Sequence, residues 1–185
     1  MMPSRLPIKR IPGGWAAVFL VSVPEGDCFS AVQRIRDEIR SVYVQVIDSD
    51  SVLNVDHILL SLQNVISAHR HGYNKMNRVD SELLLVMAGI NHFEVAVKMM
   101  APKADGKAVL ISFSDREEDV VKSTRLFELY AGTRAEEPMF RNDLSRLLRL
   151  SAFYQIPPES LGRISEDVLT EALAERSAVF YAKYR

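Results

Sequence analysis

The sequence predicts an α+β protein in the mixed α/β sense, with a four- to five-stranded sheet, packed helices and a helical C-terminal portion. Short β-branched runs alternate with segments of helical periodicity as far as residue 113, and only helical periodicity follows. The 185 residues are 48% hydrophobic and 25% charged, which is typical of a globular domain and excludes disordered, collagen-like and coiled-coil classes.

Four segments are rich in valine, isoleucine and aromatic residues and are predicted strands. They are residues 15–23, 42–47, 82–87 and 107–113. The third, ELLLVM, is almost continuously apolar, so we expect a central strand covered on both faces.

Helices are predicted between and after these strands, over residues 26–40, 55–71, 91–100, 114–130, 139–154 and 165–184. The second has the clearest apolar face, because Ile58, Leu62 and Val65 recur at helical spacing and Gly72 supplies a stop. Asn91 is the expected cap of the third, and Ser114 and Asp115 are expected caps of the fourth.

Residues 1–13 are predicted to be a flexible N-terminal extension, and residues 14–185 a single domain. Three prolines interrupt the extension, so we expect no mitochondrial transit peptide, and its nine-residue apolar continuation is far shorter than the ~20 residues of a membrane-spanning helix. The single cysteine, Cys28, excludes an internal disulfide and fits a reducing compartment. We expect a cytoplasmic or nuclear protein.

The search for catalytic chemistry gives no catalytic residue, no metal site and no cofactor. There is no glycine-rich phosphate loop and no HExxH motif, and His69 and His71 are two residues apart, which points them in different directions on a helix. Cys28 is interpreted as a small buried thiol. One alternative remains open: a small α/β enzyme whose dispersed site includes His57, Glu82 and His92, which flank predicted strand ends.

The segment of residues 69–78, HRHGYNKMNR, is the most unusual in the chain. It carries three fixed positive charges, two histidines and one tyrosine, and no acid. Such a patch can hold phosphates while the tyrosine stacks on a base, although a basic helix C-terminus is also favoured by the helix dipole. Net charge is −1 for the whole chain, so this is a local feature, and a stand-alone RNA-binding module is a further alternative.

The final helix has a wide apolar stripe. Val168, Leu169, Ala172 and Leu173 are extended by Tyr181 and Tyr184 near its end. One apolar face suffices for core packing. The additional apolar residues indicate either a helix buried in the core or a helix that also binds a partner.

Residues 73–101 resemble the signature region of the smallest conserved KEOPS subunit, a family that includes the animal p53-related-kinase-binding protein and its fungal and archaeal counterparts. The shared features are the basic loop Tyr73 to Arg78, the pair Ser81-Glu82 before an apolar run, and an Asn-led helix containing Ala96. The sequence departs from the family at residues 100–102, where Met-Ala-Pro replaces a Phe-Gly turn. A looser resemblance covers residues 14–184.

The resemblance implies a non-catalytic accessory subunit of the KEOPS complex. Such a subunit binds and regulates the small atypical kinase/ATPase subunit, contacts the threonylcarbamoyl transferase indirectly, and helps recruit tRNA by its 3′ CCA end for N6-threonylcarbamoyladenosine synthesis. The residues carried over for tRNA binding are Arg70, His71, Tyr73, Lys75 and Arg78. Those carried over for kinase binding are Val168, Leu169, Ala172 and Leu173.

Overall fold

The computed structural model describes residues 8–23, 28–104, 106–157, 159 and 162–184. Its strands are β1 (Ile8–Ile11), β2 (Gly14–Ser22), β3 (Tyr43–Asp48) and β4 (Lys107–Ser114). Its α-helices are α1 (Cys28–Glu38), α2 (Val55–His71), α3 (Val79–Ala88), α4 (Phe93–Met100), α5 (Glu117–Ala131), α6 (Leu144–Phe153) and α7 (Glu166–Lys183). The predicted α+β class with a helical C-terminal portion is confirmed.

The span predicted as one domain divides into two compact units. Unit 1 contains the described residues up to Ser49 and those from Pro102 to Pro138, and unit 2 contains Asp50–Ala101 and the described residues from Met139 onward. Unit 1 holds the sheet with α1 and α5, and unit 2 holds the other five helices of the described chain.

Unit 1 is built on a four-stranded sheet in the order β1-β2-β4-β3, with every neighbouring pair antiparallel. Helices α1 and α5 pack on one face, where alternate residues of the strands point. Phe19, Val46 and Leu110 from three strands meet Ile35 of α1 and Phe127 of α5 in this core. The residues of β2 in this core are Ala17, Phe19 and Val21, which follow the two-residue period of a strand.

The strand β1 lies within the segment predicted to be a flexible extension. Pro12 and Gly13 form a two-residue turn into β2, and Gly13 adopts a φ of 105° that favours glycine. At the next position a side chain on Gly14 would lie 2.3 Å from the Ser114 carbonyl oxygen of β4, so this close strand approach also requires glycine. Residues 1–7 lie outside the described residues.

Unit 2 is a helical unit in which α2 contacts α3 and α7, α3 contacts α4, and α6 contacts α7. One core cluster joins α6 to α7; its members are Leu53, Leu147, Leu150, Tyr154, Leu169 and Leu173. The Tyr154 hydroxyl donates to the Ser51 carbonyl oxygen, and burial raises the pKa of Tyr154, which keeps that donor protonated. The start of α2 is tied to α7 because the N-cap Asn54 donates to Glu166 and Thr170, each at 2.9 Å.

The prediction of a strand at residues 82–87 is wrong. This run is the centre of α3, and nine of the ten residues of α3 are buried. A helix buried on almost every side shows the same continuous apolar pattern as a central strand, so periodicity does not separate them. The composition does favour a helix, since leucine, methionine and glutamate are strong helix formers and only Val86 in the run is β-branched.

Most other elements lie close to their predicted positions, and α2 has its predicted bounds. The helix predicted over 139–154 begins five residues later, where the Asp143 side chain accepts the Arg146 N–H at 2.8 Å. Helices α4 and α5 have His92 and Arg116 as N-caps instead of the expected Asn91, Ser114 and Asp115. Gly26 and Asp27, the predicted start of α1, lie outside the described residues.

No single helix in the described ranges is long and apolar enough to cross a membrane. Helices α3 and α4 reach that length and composition only as a pair, and the pair is bent by 77°.

Candidate functional site

The basic segment of residues 69–78 links the end of α2 to the start of α3 in unit 2. Gly72 ends α2 in the left-handed conformation (φ 73°), and its N–H binds the Ala68 carbonyl oxygen. The N–H of Tyr73 reaches the same oxygen at 3.1 Å. This C-cap turns the chain out of the helix, so residues 72–78 form an irregular loop, named here the basic loop.

The carboxylate of Glu82, which is fully buried, lies under the basic loop. Its Oε1 accepts the Lys75 backbone N–H at 3.0 Å, and its Oε2 accepts that of Met76 at 3.3 Å. The same carboxylate accepts the Tyr181 hydroxyl of α7 at 2.7 Å, and its Oε2 lies 2.8 Å from Nε2 of His69. A buried charge requires such partners, so Glu82 fixes the loop backbone against two helices.

Burial raises the pKa of Tyr181, and the hydrogen bond to Glu82 raises it further. The hydroxyl therefore remains a donor at physiological pH. The aromatic ring of Tyr181 also meets the ring of Tyr73 edge-on, with centroids 5.1 Å apart. Tyr181 of α7 thus contacts the loop through the ring of Tyr73 and binds Glu82, which holds the loop backbone.

Two of the five predicted tRNA-binding residues are engaged within the protein. Arg78 forms a bidentate pair with the carboxylate of Asp80, with N–O distances of 3.0 and 2.8 Å. Lys75 donates through Nζ to the carbonyl oxygen of Tyr184 at the end of α7. Part of the positive charge of the segment therefore compensates a buried carboxylate and a helix C-terminus.

The side chains of the other three predicted residues, Arg70, His71 and Tyr73, are each exposed. The rings of His71 and Tyr73 stack with an interplanar angle of 17° and centroids 6.1 Å apart, and Nδ1 of His71 lies 2.8 Å from the Ser67 carbonyl oxygen. Arg70 makes no hydrogen bond or ion pair to any described residue. A free guanidinium beside two exposed rings is the part of the segment suited to contact phosphate and bases.

The predicted kinase-binding residues separate into two pairs. Leu169 and Leu173 are 0% and 2% exposed and belong to the core with α6, so they are not an accessible surface in this fold. Val168 and Ala172 are partly exposed on α7. Val179, about two helical turns after Ala172, is 48% exposed. The wide stripe read in the sequence is therefore a core face together with a second, accessible apolar face.

An open groove of about 370 Å³ follows this accessible face of α7. Its lining residues are Gly89, Ile156, Ala172, Glu175, Arg176, Val179, Phe180, Lys183 and Tyr184. Arg176 forms its base, because its guanidinium donates to the Tyr154 and Ala88 carbonyl oxygens at 2.7 and 3.3 Å. These hydrogen bonds satisfy carbonyl oxygens at the C-terminal ends of α6 and α3, so the Arg176 side chain is held in one position at the base of the groove.

The residues of the alternative enzyme site do not flank strand ends. His57 is buried in the first turn of α2, Glu82 is the loop anchor on α3, and His92 is the exposed N-cap of α4. Within the described residues, no group of three or more histidine, cysteine, aspartate or glutamate side chains is placed to hold a metal ion.

A family comparison identifies the evolutionary class of this chain. The sequence model of a family described as kinase binding protein CGI-121 matches residues 30–177, which is more than half of the chain. The chain belongs to the CGI-121 family. A comparison with curated proteins gives no significant match. The matched range of this CGI-121 protein contains the basic loop and most of α7, and it ends before Val179, Phe180, Lys183 and Tyr184 of the groove.

Sequence reasoning missed the residues that organise these surfaces. Glu82 was placed at the edge of a strand, Tyr181 was read as part of an apolar stripe, and Arg176 was not singled out. The one available signal was Glu82 itself, since an acidic residue inside a continuous apolar run requires partners when it is buried.

Proposed function

We propose that this CGI-121 protein is a non-catalytic accessory subunit of the KEOPS complex, acting in the cytoplasm, the nucleus or both. It binds and regulates the atypical kinase/ATPase subunit and helps recruit tRNA for N6-threonylcarbamoyladenosine synthesis. The observation that carries the proposal is the match of residues 30–177 to a kinase-binding family, together with an accessible apolar groove on α7.

The kinase subunit is proposed to dock on the accessible face of α7. Ala172 and Val179 supply accessible apolar surface, while Glu175 and Lys183 supply charges at the groove rim; Phe180 lines the groove but is buried. An apolar centre with a polar rim is the usual composition of a protein interface. The buried pair Leu169 and Leu173 acts indirectly, by holding α7 on its core.

Val179→Glu tests this interface, because Val179 is half-exposed and the change places a charge in the groove. We expect it to weaken co-purification with the kinase subunit about tenfold or more while leaving the unfolding temperature within about 2 °C. Leu129→Glu is the matched control, since Leu129 is 72% exposed on α5 of unit 1. Retained binding in Val179→Glu, or equal loss in the control, would place the interface elsewhere.

The tRNA contact is proposed to use the exposed trio Arg70, His71 and Tyr73. The supporting observations are the exposure of all three residues, the stacking of His71 on Tyr73 and the unpaired Arg70 side chain among the described residues. Lys75 and Arg78 are proposed to contribute less, because each already binds an oxygen of the protein.

Arg70→Ala tests the tRNA contact. Arg125→Ala is the matched control, because the Arg125 side chain is exposed on α5. We expect Arg70→Ala to weaken tRNA binding and to lower the slope of log affinity against log salt by about 1. A slope equal to that of the control would remove the segment from the RNA interface. Trimming the 3′ CCA end of the tRNA tests whether that end is what the trio contacts.

A further inference from the structure

The carboxylate of Glu82 connects three separate elements beneath the proposed RNA surface. It accepts two backbone N–H groups of the basic loop and the Tyr181 hydroxyl of α7, and it lies 2.8 Å from His69 of α2. The side chain is 0% exposed, so it cannot itself touch RNA. Glu82 can therefore affect RNA binding only through its charge or through the residues that it holds.

Side-chain contacts of Tyr73, Asn74, Lys75 and Arg78 restrain the loop, and Glu82 adds hydrogen bonds to its backbone. Residues 72–78 form no helix or strand. The backbone N–H groups of Gly72 and Tyr73 bind the Ala68 carbonyl oxygen, and those of Lys75 and Met76 bind Glu82. A hydrogen bond to a charged acceptor is stronger than one to a neutral acceptor. Glu82 is consequently the main determinant of where the loop backbone lies.

Resting on the proposed tRNA contact, we propose that Glu82 is the positioning residue of the RNA surface and that Tyr181 links this surface to the end of α7. Glu82 fixes the backbone of Lys75 and Met76, and the ring of Tyr181 contacts the ring of Tyr73 edge-on. The stacked pair His71 and Tyr73 is thereby held in one orientation, and Lys75 fastens the loop to Tyr184. The end of the proposed kinase-docking helix thus sets the shape of the surface that meets tRNA.

Removal of the Glu82 charge separates this role from simple electrostatics. Without positioning, Glu82→Gln deletes a negative charge beneath a phosphate-binding surface and should tighten RNA binding. With positioning, the glutamine amide turns an N–H donor toward one of the loop donors, so the loop leaves its bound conformation and binding weakens. The two interpretations predict changes of opposite sign.

The test measures binding of a tRNA transcript by the full chain across a salt series. We expect Glu82→Gln to weaken binding about tenfold, which corresponds to a binding-competent loop in about a tenth of the molecules. We expect the salt slope to stay at the wild-type value, because Arg70 lies on α2 and keeps its phosphate contact, so the loss differs from that in Arg70→Ala. Glu94→Gln is the matched control for charge, because the Glu94 side chain is exposed on α4. This variant should bind tRNA as tightly as the wild type or slightly more tightly.

Tyr181→Phe provides a second variant that keeps both charge and ring volume. It removes only the hydroxyl that reaches Glu82, and we expect a smaller loss of RNA affinity, about threefold, with the fold retained in circular dichroism. Unchanged or tighter RNA binding in both Glu82→Gln and Tyr181→Phe, while Arg70→Ala weakens binding, would overturn the positioning role alone. Wild-type binding that is insensitive to Arg70→Ala would instead overturn the proposed tRNA contact.

Discussion

The buried histidine His57 predicts a measurable acid sensitivity of folding. Its side chain is 1% exposed, its ring meets Tyr154 edge-on at 5.4 Å, and burial lowers the pKa of His57 from 6.5 to about 4. It also lies three residues after the N-cap Asn54, where the positive end of the helix dipole opposes a second positive charge. The folded protein therefore keeps this ring neutral at pH values where the unfolded chain protonates it.

The size of the effect follows from the two pKa values. Between pH 6.5 and 4 the unfolded state binds a proton that the folded state does not, so stability rises with pH and falls as the solution is acidified. The loss is small at pH 7, about 2 kcal/mol at pH 5, and about 3 kcal/mol once the pH is below the pKa of the folded state.

Urea denaturation at pH 7 and pH 5 measures this loss against a variant without the titrating ring. Nδ1 of His57 has no hydrogen-bond partner among the described residues, so His57→Phe sacrifices little polar contact. We expect the wild type to lose about 2 kcal/mol more than His57→Phe between the two pH values. His92→Phe, at an exposed position, serves as the control and should follow the wild type. Equal pH dependence in wild type and His57→Phe would refute the reasoning.

Three further predictions concern packing and caps in unit 2. Leu173→Ala should destabilise the protein by about 3–4 kcal/mol in chemical denaturation, because it opens a cavity at a residue 2% exposed; a loss below about 1 kcal/mol would contradict its place in the core. Gly89→Ala should lower the melting temperature more than Gly72→Ala. Both glycines have positive φ, which strains an alanine at either position, but only at Gly89 would the new Cβ collide with the Arg176 side chain. Equal shifts would show that Arg176 moves freely. Asn54→Ala should cost about 2 kcal/mol in the same denaturation assay, because it removes the α2 cap and both bonds to α7, and a cost under about 0.5 kcal/mol would be inconsistent with that dual role.

The sequence predicted the fold class and most helices and strands for identifiable reasons. Helix α2 was predicted with its observed bounds because a regular apolar face and a terminating glycine agree. Strands β2 and β4 were found by their β-branched residues. The short β1 was missed because IKRI has only two apolar residues and gains its place by pairing with β2.

The candidate site was predicted in part. The position of the basic segment and the importance of α7 came from charge clustering and from apolar excess, both of which are visible along the chain. Which of those residues are accessible was not predictable, because Leu173 and Val179 are equally apolar and differ only in what packs against them. Likewise Arg70 and Arg78 are chemically alike, and the folded chain leaves the Arg70 side chain unpaired among the described residues while Arg78 binds its sequence neighbour Asp80.

By itself, the sequence determined the α+β class, the helical C-terminal portion and a local positive patch, because each depends on residue order and composition alone. The tertiary structure decided that residues 82–87 are helical, that the inner half of the α7 stripe is core, and that Glu82 holds the basic loop. These outcomes depend on burial, and burial is set by neighbours distant in sequence: Tyr181 lies 99 residues from the carboxylate that it binds.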